Sequence, residues 1–161
     1  MSGSAGPASG AAGGASERHP YLYALIRLVP SLERGETLNV GVLLYCQNRD
    51  YLAAAVHVDA ARLATLAPGA DLRQACAAVD TLADVAAGRG TSPVAEQPAR
   101  VRFGWLTSPR STVVQLGPVH AGLTADPDAA LAALLARLVL APAPQAQAGG
   151  AVGEVPAGGV G

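Results

Sequence analysis

The sequence predicts an α+β fold, an antiparallel sheet of about five strands in the chain order βββααββα with helices packed on one face. Three observations carry this. Strand-like runs of Val, Ile, Leu and Tyr cluster in the first third of the chain, bounded by Pro, Gly, Asn and Asp. The middle then changes to helical spacing, with aspartates placed to cap the helix starts. Near the end, Leu131, Leu134, Leu135 and Leu138 line one helical face.

The first strand is read over 21–29 and stopped by Pro30, which cannot donate to a ladder. A loop from Ser31 to Thr37 leads to the second, 38–46. Turn residues Gln47 to Asp50 precede the third, 51–58, whose run of alanines makes it the least strand-like of the three. Asp59 caps a short helix carrying Leu63 and Leu66, which ends at Pro68-Gly69. Asp71 caps a longer one, with Leu72, Cys76, Val79, Leu82 and Ala86 at helical spacing and Gly88 beyond its end. Residues 89–99 read as a polar loop. Two strands, 101–106 and 112–116, are expected on either side of Ser108-Pro109. Asp126 is the N-cap of the last helix, and Pro127 suits its first turn.

Composition sets the limits. The chain has 161 residues, a formal charge of −1, and eleven basic residues that are all arginine, a bias that suggests a GC-rich genome. Near-neutral charge argues against general nucleic-acid binding, which needs a basic surface to neutralise phosphates. Residues 1–17 and 142–161, rich in Gly, Ala and Pro, are expected to be disordered tails around a single domain at 18–141. The first residues lack the basic and apolar regions of a signal peptide. The apolar run 129–140 is broken by Arg137 and is shorter than the ~20 residues of a spanning helix. Cys46 and Cys76 have neither CxxC nor zinc-ligand spacing. These features lead us to expect a soluble cytoplasmic protein without metal, cofactor or membrane partner.

A few polar residues stand out against this background. Arg27 interrupts an apolar strand, and a guanidinium there must reach water, pair with Glu36 or hold an anionic ligand. Gly41 in mid-strand marks a bulge or a close approach, with Asn39 expected on the same face. Thr107 to Thr112, which include Arg110 and Ser111, combine hydroxyls with an arginine suited to phosphate or carboxylate, or form a hairpin loop capping its own backbone. His120 could act as a general base or as a structural hydrogen-bonding residue. No orienting acid, GxSxG elbow or phosphate loop accompanies it.

The segments YALIRLVP (23–30), RGETLNVGVLL (34–44) and FGWLTSPRSTVVQLGPV (103–119), with His120 and the Asp126-Pro127 helix, give the chain its family likeness. In their order and spacing it resembles the bacterial family catalogued as domain of unknown function 3037, over about 20–140. The resemblance makes Arg27, Glu36, Asn39, Gly41, Arg110, Ser111 and His120 members of one recurring pattern. It also implies a gene neighbourhood with HipA-like serine/threonine kinases. Two functions follow as expectations. The first is a non-catalytic binding or regulatory partner, with such a kinase as the candidate it would serve. The alternative is an enzyme or sensor acting on a phosphorylated or other anionic small molecule through Arg27, Arg110 and His120.

Overall fold

A computed structural model describes residues 16–110, 112–140 and 142. The tails expected to be disordered thus fall almost wholly outside the described residues, and so does Ser111. The elements run β1 (His19–Leu28), β2 (Leu38–Cys46), β3 (Tyr51–Val56), α1 (Ala60–Leu66), α2 (Leu72–Ala86), α3 (Ala99–Thr107), β4 (Val114–Leu116), β5 (His120–Thr124) and α4 (Pro127–Leu138). All strand pairs are antiparallel, in the order β3-β2-β1-β4, with β5 also on β1. The α+β class and the five-stranded antiparallel sheet are as expected, and the order matches apart from one element.

That element is 101–106, which is helix rather than strand. Val101, Phe103 and Trp105 alternate as a strand would, but the face that is buried is Ala99, Phe103 and Leu106, a helical i, i+4, i+7 set. The Phe103 ring stacks on Tyr45 at 5.1 Å, fixing α3 to the sheet, while Val101 and Trp105 remain exposed. The fifth strand lies instead at β5, beyond the two strands expected in this region. Its segment HAGLT has little strand propensity and is held by its ladder to the first half of β1. β4 pairs with the second half of β1, and Pro118 lies between the two on this outer edge, where a missing N–H is tolerated.

The helices lie on both faces of the sheet rather than on one. Leu28, Leu38, Val40, Leu43 and Tyr45 form a core with Leu63, Val79, Val85, Phe103 and Leu106 of α1, α2 and α3. Val42, Leu44 and Cys46 form a second core with Leu131 and Leu134 of α4. β2 is therefore buried on both sides, which is why it is a nearly continuous apolar run. Each fully buried leucine or isoleucine contributes about 1.5–3 kcal/mol relative to exposure.

A bulge links the two cores. Ile26 faces Gly41 but Arg27 faces Asn39, so Val40 is an extra residue on β2. The extra residue reverses the side-chain alternation. Leu38 and Val40 join the α1–α3 core, whereas Val42, Leu44 and Cys46 turn towards α4. No helix among the described residues is long and apolar enough to cross a membrane.

Candidate functional site

The bulge separates two residues expected on the same face. Gly41 belongs with Ile26, and a Cβ there would lie 2.7 Å from the Ala55 carbonyl oxygen and 3.0 Å from Ile26 Cδ1. The glycine is therefore explained by close packing against β3. Asn39 lies on the opposite face, where its Nδ2 donates to the Leu138 carbonyl at 3.2 Å. It holds the last turn of α4, whose carbonyls have no partners within the helix. Arg62 of α1 donates to the neighbouring Val139 carbonyl at 3.2 Å. At the other end of α4, the Tyr51 hydroxyl donates to Asp128 Oδ1 at 2.8 Å. Burial first, then this hydrogen bond and the Asp128 and Asp126 charges, raise the Tyr51 phenol above its ordinary range.

Arg27 does not pair with Glu36. Glu36 is held by Arg34, whose Nε and Nη2 reach its two carboxylate oxygens at 2.9 and 2.7 Å. This exposed pair raises the Arg34 pKa and lowers that of Glu36, mainly through the hydrogen bond in each case. Arg27 instead lies flat against Gly117, where a Cβ would come within 3.0 Å of Cζ. Its Nε is buried with no hydrogen-bond partner among the described residues. Gly122 serves a similar purpose further along, since a side chain there would overlap the Tyr21 ring. Sequence reading missed both glycines. Their signal was a glycine on each side of Pro118, opposite the bulky alternating residues of β1.

Pairing with Tyr23 puts His120 on the same sheet face as Arg27 and Asn39. The His120 and Tyr23 rings lie 5.2 Å apart, and Tyr23 is 6.1 Å from Tyr21, forming a row of three rings. The two tyrosines are half-buried at the margin of α4, and His120 is exposed. Arg27 stands four residues beyond Tyr23, about 14 Å along the strand at ~3.4 Å per residue.

Arg110 is elsewhere, at the end of α3. Its guanidinium covers the Trp105 ring at 3.6 Å, and Nη2 donates to the Trp105 carbonyl at 2.7 Å. It borders a cleft of about 300 Å³ between α2, α3 and β4, and a second of about 370 Å³ that runs past Gly117. Arg27, Asn39 and His120 thus share one sheet face, Arg110 sits at the sheet's β4 edge, Glu36 is in the β1–β2 loop, and Gly41 is inside the fold.

A family model described as protein of unknown function (DUF3037) matches residues 23–139, from within β1 to the residue after α4. The chain belongs to that family. No curated protein and no solved structure matches it. The seven residues that the resemblance singles out all lie within the matched span, with Arg27, Asn39 and His120 on the face that carries α4.

Proposed function

We propose that this DUF3037 protein is a non-catalytic binding or regulatory partner, acting in the cytoplasm through the sheet face formed by β1 and β5. The row Tyr21, Tyr23 and His120 carries the reading, with Arg27 further along the same strand face. Tyrosine and arginine are enriched at protein interfaces, where rigid rings offer large contact area at low entropic cost. Through the family's gene neighbourhood, the partner is a HipA-like serine/threonine kinase. The test is a binding titration of the full chain with such a kinase. A complex at micromolar concentration is expected, weakened about thirtyfold or more by Tyr23→Ala, the effect of losing an interface anchor. No complex at micromolar concentration contradicts the proposal.

An enzyme or sensor using Arg27, Arg110 and His120 on one anionic substrate draws less support. A general base must come within hydrogen-bond reach of its proton. His120 is stacked beside Tyr23, the Arg27 backbone stands about 14 Å further along at ~3.4 Å per residue with its guanidinium against Gly117, and Arg110 rests on Trp105.

A further inference from the structure

Away from the Tyr23 face, the cleft between α2, α3 and β4 has the makings of a ligand site. Its walls are Leu82 and Val85 of α2, Leu106 of α3, and Val114 and Leu116 of β4. Its volume of about 300 Å³ lies at the lower end of small-molecule sites, which are mostly apolar with a few placed polar groups. Among the described residues, the lining includes one arginine and no carboxylate. That arginine is Arg110, exposed at the rim and fixed before any ligand arrives. It stacks on Trp105 and spends a donor on the Trp105 carbonyl, which leaves others of its five N–H groups for an anion. A cation already held in place spares a ligand part of the ordering cost of binding.

β4 borders this cleft, which raises the question of a peptide adding as a strand. The Val29 N–H donates to the Val113 carbonyl and the Gly117 N–H to the Leu25 carbonyl, so the backbone groups of Val113 and Gly117 face β1 and the Val114 carbonyl points away from it. That outward carbonyl already accepts the Thr112 hydroxyl at 2.6 Å. With one of its outward acceptors used within its own chain and only three residues long, this edge is poorly suited to strand addition, which depends on main-chain bonds. A compact ligand fits better.

We infer that this cleft binds a small organic carboxylate with a hydrophobic body, its apolar part between α2 and β4 and its carboxylate on Arg110. The chain's single tryptophan, Trp105, lines the site and reports on it directly. The experiment titrates the full chain with octanoate and with octanamide while following Trp105 fluorescence. Saturable binding of octanoate is expected below its micelle concentration, with octanamide about tenfold weaker because it lacks the charge-assisted bond. Arg110→Gln removes most of that difference. Ala78→Phe, which fills the cleft from α2, abolishes both signals, and thermal melts verify that each variant is folded. The inference is overturned by unsaturable octanoate, by octanamide binding as tightly as octanoate, or by a valine-terminated tetrapeptide binding more tightly than either. Kinase binding at the other face is measured separately, so neither result decides the other.

Discussion

Asn39 is one of the residues that the resemblance singles out, and it also ties β2 to the end of α4. Its observed partner is structural. Asn39→Ala is expected to cost about 1 kcal/mol, the usual net value of one hydrogen bond, and to leave kinase affinity unchanged. A denaturant melt beside a binding titration separates the two roles. Gly41→Ala places a methyl against the Ala55 backbone, which cannot swing away as a side chain can. Overpacking of this kind costs about 1–3 kcal/mol, readable in the same melt. Tyr51 gives a prediction with a sign. Its folded pKa is raised, so its contribution is fully present below the unfolded value of about 10 and is lost as pH rises beyond that. Stability measured from pH 8 to 11 should fall more steeply in the natural chain than in Tyr51→Phe. Parallel curves would show that the phenol is not coupled to folding. At this scale the sequence was a partial guide. Arg27, Gly41 and His120 were recognisable as exceptions to their surroundings. The Arg34–Glu36 pair and the separation of Asn39 from Gly41 were not, since one depends on loop geometry and the other on a single inserted residue, Val40.

Among the elements, α4 is both the most legible and the most dependent on its ends. Asp126 Oδ1 accepts from the Asp128 and Ala129 backbone amides at 3.0 and 3.2 Å, as its position before Pro127 suggests. Asp126→Ala should therefore lower stability by about 1 kcal/mol, checked by the shift in denaturation midpoint. At α3 a period-two pattern over 101–106 and a helical one starting at Ala99 share Phe103, so the local pattern alone favours a strand. Packing against Tyr45 decides between them, and that contact is long-range. β5 was illegible for a related reason. Its ladder is supplied by β1, not by its own side chains, and only the paired structure reveals why Gly117 and Gly122 flank Pro118.

For the whole molecule, the sheet with a core on each face explains the chain's high apolar content and the two-sided burial of β2. It also divides the functional surface. α4 packs over β2 and β3, leaving the Tyr21–Tyr23–His120 row at its margin, while α2 and α3 enclose the Arg110 cleft with β4. The proposed partner face and the inferred ligand cleft thus lie at separate places on one small fold, joined through β1 and β4. Deuterium exchange of the full chain, alone and mixed with a HipA-like kinase at micromolar concentration, tests the partner assignment most directly. Slower exchange is expected in peptides covering β5 and the first half of β1, where His120 and Tyr23 lie. Protection confined to α1 and α2, or an exchange pattern that the kinase leaves unchanged, would contradict it.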